Sequence, residues 1–193
     1  MTATDLIKFC DPARPHIAQP FTIGDYTYAT NGRVAVRVPK IEEVPENPKA
    51  PKTIQRLVEN AASFNGETFP MPLLPPPDLE TCKHCEGFGR FNTCPQCDGA
   101  GDVECNLGHY HKCELCDGDG IRADIGGTNQ CEYCDGLGKV EKHTRINMGA
   151  CSFSSVYLRP LAQLPGAIAI CPNYTDPAAV TFDGGHAIIM PMR

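Results

Sequence analysis

The sequence lacks the segments that would direct a chain into or across a membrane. No apolar run reaches about 18 residues, the length at which a transmembrane helix becomes the first interpretation. The N-terminal MTATDLIKF has neither a basic n-region nor a long apolar stretch. We therefore predict neither secretion nor a membrane span, and we expect a cytoplasmic location. In that reducing compartment, clustered cysteines indicate metal binding or redox chemistry before structural disulfides.

Recognisable catalytic motifs are also missing. No phosphate-binding loop, nucleophile–base pair or open metal site emerges from the residue pattern. At 193 residues the chain has room for one ordinary domain and one small module. We expect a protein that is not an enzyme.

Positive charge is scarce in one segment, residues 82–138. This segment has four Lys/Arg and ten Asp/Glu residues, a formal net charge of −6, while the rest of the chain has thirteen of each. Two dications, each held by four thiolates, would bring the segment to about −10. Because phosphate binding depends on Lys and Arg, direct nucleic-acid binding by this segment is not expected.

Cysteine is abundant in the same segment, where it follows a repeat. Eight of the twelve cysteines lie in four copies of CxxCxGxG: CKHCEGFG from Cys82, CPQCDGAG from Cys94, CELCDGDG from Cys113 and CEYCDGLG from Cys131. A CxxC turn places two sulfurs near each other, and the glycines permit positive φ while backbone donors face the thiolates. Four such pairs supply two complete four-thiolate zinc sites with no ligand left over.

Metal also explains how this segment could fold. It has few large apolar side chains and Gly at eight motif positions, so its own core is insufficient. Zinc typically supplies about 10–16 kcal/mol per structural site. Redox chemistry is the competing interpretation, but a thioredoxin-like cysteine lies at a helix N-terminus, not in a Gly-rich turn. Cys105, His109 and His111 are too few for a third four-ligand site, so we expect a hairpin-tip loop there.

The four repeats resemble the cysteine-rich zinc-binding region of DnaJ-type co-chaperones, whose signature is four CxxCxGxG copies. The resemblance implies an extended β-hairpin module in which repeats one and four share one zinc ion and repeats two and three share another. The ligand sets it implies here are Cys82, Cys85, Cys131 and Cys134 for the first ion, and Cys94, Cys97, Cys113 and Cys116 for the second. No His-Pro-Asp loop or Gly/Phe-rich linker precedes the module, so stimulation of a chaperone ATPase is not expected.

The flanking segments predict strands and helices. The Asn31-Gly32 turn between YTYAT and RVAVRVP predicts a β-hairpin, and apolar spacing in residues 51–66 predicts a helix. Residues 68–78, rich in proline, are either a semi-rigid arm or a loop packed on the main domain. After the repeats we expect a strand in KVEKHTRINMG, a short helix in SSVYLRPLAQLPG, a buried strand in GAIAIC and a hairpin in AAVTFDGGHAIIMPMR.

In two places these flanks are similar to one domain of bacterial DNA polymerase sliding clamps, the β-type processivity factors. YATNGRVAVRV resembles the family's ATDGHRLA strand signature, and residues 153–193 look like its last helix, strands and tail. The resemblance implies a clamp-like domain of two βαββ-type units. Because the family binds partner peptides in a pocket partly made by its tail, it also implies partner binding by Met190, Pro191, Met192 and Arg193.

We therefore predict an α+β protein in three segments. Residues 1–79 form the first half of a clamp-like domain with a proline-rich arm, residues 80–140 a zinc-finger insertion with two Zn²⁺ per chain, and residues 141–193 the second half. The expected function is protein interaction, with Phe88 and Tyr133 as further contacts and with DNA replication or a related nucleic-acid complex as the setting. A chaperone-like holdase or assembly factor, an acidic DNA mimic that blocks a basic partner, and a homo-oligomer all stay open.

Overall fold

The chain folds into two compact units. The computed structural model describes residues 1–47, 52–61, 63–123 and 126–192. One unit contains Met1–Pro76 and His143–Arg193, and the other contains Pro77–Lys142. We call them the sheet unit and the cysteine unit. Within the described ranges, no helix combines the length and the apolar character needed to cross a membrane.

The secondary structure is mixed and mostly sheet. The helices in the described ranges are α1 (Ala3–Ile7), α2 (Lys52–Ala61) and α3 (Ser155–Ala162). The strands there are β1 (Phe21–Ile23), β2 (Tyr26–Thr30), β3 (Val34–Pro39), β4 (Glu67–Pro70), β5 (Leu79–Thr81), β6 (Arg90–Thr93), β7 (Asp102–Glu104), β8 (Tyr110–Lys112), β9 (Ile121–Ala123), β10 (Asn129–Gln130), β11 (Lys139–Glu141), β12 (Arg145–Met148), β13 (Cys151–Ser154), β14 (Ile168–Cys171), β15 (Ala178–Phe182) and β16 (Gly185–Ile189).

One antiparallel sheet of seven strands organises the sheet unit, in the order β1-β2-β3-β16-β15-β14-β4. Two meanders, β1-β2-β3 and β14-β15-β16, meet where β3 pairs with β16 and Val36 lies opposite Ala187. These meanders come from opposite sides of the cysteine unit in the sequence. The two flanks therefore share a continuous sheet.

Alternation along the strands divides the core between the two faces of the sheet. Val34, Val36 and Val38 belong to the larger buried cluster, whereas Ala35 belongs to the smaller one. The larger cluster also takes buried side chains from α1, the β12–β13 hairpin and α3, and the smaller cluster takes them from α2. Both faces of the sheet are thus covered, which explains the near-continuous apolar runs of β3 and β16.

The N-terminal hairpin forms where the sequence predicted it. β2 and β3 pair antiparallel across the Asn31-Gly32 turn, and Gly32 has a φ of 81°. The side-chain Oδ1 of Asn31 accepts hydrogen bonds from the N–H groups of Arg33 and Val34, both at 2.9 Å. An Asn side chain that imitates a backbone acceptor in this way stabilises a tight turn.

Other predicted elements are also present. α2 lies within the helix predicted for residues 51–66, although Pro51 itself falls outside the described residues. Downstream, α3, β14 and the β15–β16 hairpin lie where a helix, a buried strand and a hairpin were expected. The single strand predicted in KVEKHTRINMG is instead two strands, β11 and β12, which belong to different units.

The proline-rich stretch contributes an edge strand that the sequence did not predict. β4 pairs with β14 at the margin of the large sheet. Phe69, Met71 and Leu74 pack against the larger core cluster. This part of the chain is therefore packed on the main domain, as the second of the two interpretations expected. An edge strand accommodates Pro70 because only one of its sides must supply ladder hydrogen bonds.

The sequence also missed α1 and β13. With β13 included, β13, α3, β14 and β15 follow one another in βαββ order, whereas in the first half α2 comes after three strands. The arrangement of the sheet unit as two βαββ units stays a prediction.

Candidate metal centres

Each CxxCxGxG repeat forms the same tight turn. The acidic residue after the second cysteine has a positive φ, as both glycines do. The acidic residues are Glu86 (φ 52°), Asp98 (47°), Asp117 (51°) and Asp135 (48°). Asp enters the left-handed region more readily than most residues with a Cβ, and it occupies this position in three of the four repeats. The acidic residue therefore has two effects: it adopts the left-handed backbone conformation of the turn, and it contributes negative charge.

The last glycine of each repeat donates a hydrogen bond to the second cysteine. In repeat one, the N–H of Gly89 lies 3.2 Å from the Sγ of Cys85. The equivalent bonds are Gly101 to Cys97 (3.3 Å), Gly120 to Cys116 (3.2 Å) and Gly138 to Cys134 (3.2 Å). Backbone donors of this kind favour the thiolate form and orient the sulfur.

Repeats one and four contact each other through their glycines. The N–H of Cys82 donates to the carbonyl of Gly138, and that of Cys131 donates to the carbonyl of Gly89, both at 2.9 Å. A Cβ atom at Gly89 would collide with the carbonyl oxygen of Gly136. Close backbone approach therefore requires glycine here. Repeats two and three are joined in the same way, by bonds of 2.9 Å from Cys94 to Gly120 and from Cys113 to Gly101.

This pairing brings eight cysteines into two buried groups of four. The ligand atoms within each group all lie within 4.8 Å of one another. The first cluster contains Cys82, Cys85, Cys131 and Cys134, and the second cluster contains Cys94, Cys97, Cys113 and Cys116. The structure thus brings together the two ligand sets predicted from the sequence.

The sulfur–sulfur distances match a tetrahedron with a metal ion at its centre. In the first cluster the Sγ atoms of Cys82 and Cys131 are 3.9 Å apart, and those of Cys85 and Cys134 are 3.6 Å apart. The corresponding distances in the second cluster are 3.8 and 3.7 Å. Sulfurs about 2.3 Å from a shared ion lie about 3.8 Å from each other, whereas disulfide sulfurs lie about 2.05 Å apart. Each cluster could therefore hold a metal ion.

The thiols within one cluster differ in pKa. Burial tends to raise the pKa of the Cys85 and Cys94 thiols, but hydrogen bonds from backbone N–H groups and from neighbouring cysteine side chains together outweigh it and lower the pKa of each to about 7. Burial raises the pKa of Cys113 to about 11 and that of Cys131 to about 12. A central cation would stabilise all four thiolates, so the donor set fits a bound dication.

The two clusters take the place of a hydrophobic core in the cysteine unit. Its strands form short ladders, β10-β6-β9, β11-β5 and β7-β8. Among the residues described for this unit, Phe91 and Val140 are the large apolar side chains packed on the first cluster, and Val103 is the one packed on the second. Little besides the cysteines is buried, so the stability of this unit depends on what the cysteines bind.

Cys105, His109 and His111 do not form a third centre in the structure. They lie on and beside the turn between β7 and β8, where the N–H of Cys105 donates to the carbonyl of His109 at 2.8 Å. Across the described ranges, the two cysteine clusters are the groups in which three or more ligand atoms converge. The hairpin-tip loop expected from the sequence is present.

Two predicted partner contacts, Phe88 and Tyr133, lie on the surface of the cysteine unit. Their side chains are 43% and 62% exposed. The ring of Tyr133 lies against His84 with 4.2 Å between the ring centroids and 38° between the ring planes, and His84 and Phe91 form a T-shaped contact with centroids 5.9 Å apart. The sequence did not single out His84, because the third position of the repeat differs in every copy.

The predicted tail contacts lie in the sheet unit, after β16. Backbone hydrogen bonds hold this segment. The N–H of Met190 donates to the carbonyl oxygen of Arg33 at 2.8 Å, and the N–H of Met192 donates to the carbonyl oxygen of Ser152 at 2.7 Å. Pro191 is buried between them. Met190, Pro191 and Met192 line a groove of about 630 Å³, together with Arg33, His143, Ser154, Tyr157 and Thr175. Arg193, the fourth predicted tail contact, lies outside the described residues.

The sequence also missed a side-chain contact in this tail groove. The Nδ1 atom of His143 lies 2.7 Å from the hydroxyl oxygen of Ser154. The two residues are eleven positions apart and share no motif, so only the fold reveals their contact.

Comparison with protein families, curated proteins and solved structures found nothing that matches this chain.

Proposed function

We propose that this protein is a non-enzymatic interaction protein whose cysteine unit is held by two structural zinc ions. The observation that carries the proposal is the tetrahedral arrangement of four buried sulfurs in each cluster. Tetrahedral sites of four thiolates are typical of zinc or of iron–sulfur chemistry. Zinc is favoured because it needs no second metal atom or inorganic sulfide to complete a four-cysteine site.

A structural role fits both clusters better than a catalytic one. Catalytic zinc keeps an open position for water or substrate. Here every position around a tetrahedral ion would be filled by cysteine, and the sulfurs are buried. The ions would therefore stabilise the turns and position the surface around them.

Metal analysis tests this proposal directly. We expect two zinc ions per chain after purification without chelator. Cys94→Ser should lower the content to about one, because three ligands remain in the second cluster. Cys105→Ser is the matched control and should keep both ions, because Cys105 lies outside the clusters. A native protein with well under two zinc ions, or one with iron and sulfide, would contradict the proposal.

Interaction with a protein partner is supported by the exposed side chains of the cysteine unit and by the sequence resemblance of the sheet unit to sliding clamps. The resemblance favours a setting in DNA replication, with the tail groove at Met190, Pro191 and Met192 as a second contact. Partner capture from the native host, with intact protein and with variants altered in either place, tests this. Capture that neither alteration reduces would contradict both contact surfaces.

A chaperone-like holdase is the second candidate, and one observation favours it. Leu137, Tyr110 and Tyr133 are 78%, 66% and 62% exposed, and exposed apolar side chains can meet the apolar segments of an unfolded client. If this candidate is right, the zinc-bound protein should suppress aggregation of a chemically unfolded client, and Leu137→Ser combined with Tyr133→Ser should weaken that effect. Equal aggregation with and without the protein would exclude it.

A further inference from the structure

A groove of about 570 Å³ lies in the cysteine unit. Ile121 of β9 and Val140 of β11 are the aliphatic side chains among its lining residues, and Cys82 of the first cluster also lines it. His84 of repeat one and Tyr133 of repeat four also line it. Because these side chains come from separate repeats and ladders, the groove exists only when the repeats are paired around their clusters.

Aromatic rings give this groove a surface suited to cations. Tyr133 is 62% exposed while its ring contacts His84 in a tilted arrangement, with 4.2 Å between the ring centroids. His84 also makes a T-shaped contact with Phe91, which limits its movement. An exposed aromatic ring held in a fixed position can bind the guanidinium or ammonium group of another chain.

The negative charge in and around the groove also favours a cationic ligand. Glu80 and Asp119 line the groove, with Lys83 as the opposing charge among its lining residues. Residues 77–142 contain thirteen acidic and six basic residues, a formal net charge of −7. Each four-thiolate zinc site adds two further negative charges. A surface of this kind attracts basic segments and repels phosphate backbones.

The strand order leaves backbone groups available beside the groove. In the ladder β10-β6-β9, β9 pairs with β6 on one side, and no strand of the described residues pairs with its other side. Ile121 of this strand lines the groove. An extended peptide can add to such an edge through main-chain hydrogen bonds while its alternate side chains enter the groove.

We propose that this groove binds a basic, extended segment of a partner protein, in which Lys or Arg and small apolar side chains follow one another at every second residue, so that both kinds lie on the face of the peptide that enters the groove. The inference rests on the proposed function, because the metal ions would hold the repeats that form the walls. The aromatic pair and the carboxylates would receive the cations. Ile121 and Val140 would receive the apolar side chains.

Fluorescence anisotropy on protein shown to contain two zinc ions tests the inference. The probe is a short labelled peptide in which arginine and valine take turns at every second position with serine between them (Arg-Ser-Val-Ser-Arg-Ser-Val), and its control carries glutamate in place of arginine. We expect the arginine peptide to bind and the glutamate peptide not to bind. Glu80→Gln combined with Asp119→Asn should weaken binding about tenfold and flatten its salt dependence. Tyr133→Ala should weaken binding about fivefold.

Matched substitutions outside the groove complete the design. Glu114→Gln and Tyr110→Ala remove an exposed charge and an exposed ring of the same unit that do not line the groove, and they should leave binding unchanged. Equal binding of both peptides, or native affinity in the Glu80/Asp119 variant, would overturn the groove assignment and leave the two-zinc proposal standing. A native preparation without zinc would instead contradict the proposed function, and the inference with it.

Discussion

The repeats require glycine because backbone atoms of neighbouring repeats approach closely, and not only because the turn needs a positive φ. Gly89 and Gly108 have similar positive φ values, 73° and 78°. A Cβ atom at Gly89 would meet backbone atoms of repeat four, whereas at Gly108 the nearest neighbour is a carboxylate oxygen of Glu104 at 3.9 Å. The same residue type thus serves two different physical requirements within one unit.

Gly89→Ala should therefore disrupt the first cluster, while Gly108→Ala should not. The control substitution carries only the conformational cost of a left-handed alanine, about 1–2 kcal/mol. Gly89→Ala adds a collision with backbone that cannot move without separating repeats one and four. We expect Gly89→Ala to lower the zinc content from two ions toward one and Gly108→Ala to retain both. Equal zinc content in the two variants would show that close approach is not the reason for Gly89.

At the scale of elements, the N-terminal hairpin depends on one side chain at its turn. Asn31 accepts from two backbone N–H groups, and β3 continues from this turn into the centre of the large sheet. The turn thus sets the register in which Val34, Val36 and Val38 reach the larger core cluster.

Asn31→Ala should lower the free energy of unfolding of the sheet unit by about 1–2 kcal/mol, because two N–H groups lose their acceptor. Asn31→Asp keeps an oxygen at the same position and should restore most of that loss. Chemical denaturation monitored by far-UV circular dichroism measures both effects. Tryptophan fluorescence cannot be used, because the chain contains no tryptophan. Equal loss in the two variants would mean that the side-chain oxygen is not what stabilises the turn.

At the scale of the whole molecule, the two units are stabilised by different interactions. The sheet unit buries its two largest apolar clusters on opposite faces of its sheet. The cysteine unit buries mainly sulfur. Removal of metal should affect them differently, because both of the four-cysteine groups found in the described residues lie in the cysteine unit.

Chelation should unfold the cysteine unit and leave the sheet unit folded. In hydrogen exchange after EDTA treatment, we expect the amides of Gly89 and Gly101, which donate to sulfur, to lose protection. The amide of Val180, in the middle of β15, should stay protected. Acidification should release metal in the same way, because protons compete with the metal for the thiolates. Joint loss of protection in both units would contradict their separate stabilisation.

Much of the candidate site could be read from local pattern. Each CxxCxGxG turn is formed by eight consecutive residues. Its cysteines, its glycines and the backbone N–H groups that face the sulfurs can therefore be predicted from each repeat alone. The Asn31-Gly32 hairpin is local in the same sense. β4 was missed because its partner β14 is distant in the chain and because an edge strand in a proline-rich stretch has no alternation to reveal it. β13 was missed although its partner β12 is adjacent, across the two-residue connection Gly149-Ala150, so a local signal for this hairpin was present in the sequence.

By itself, the sequence determined that eight cysteines form four equivalent pairs and that negative charge collects around them, because both properties are carried by composition and short spacing. Only the tertiary structure decided which pairs meet, that β3 and β16 join the flanks into one sheet, and that His84 and Tyr133 share a groove with Glu80 and Asp119. Those contacts join residues far apart in the chain. Their geometry depends on how the backbone closes, which no local pattern specifies.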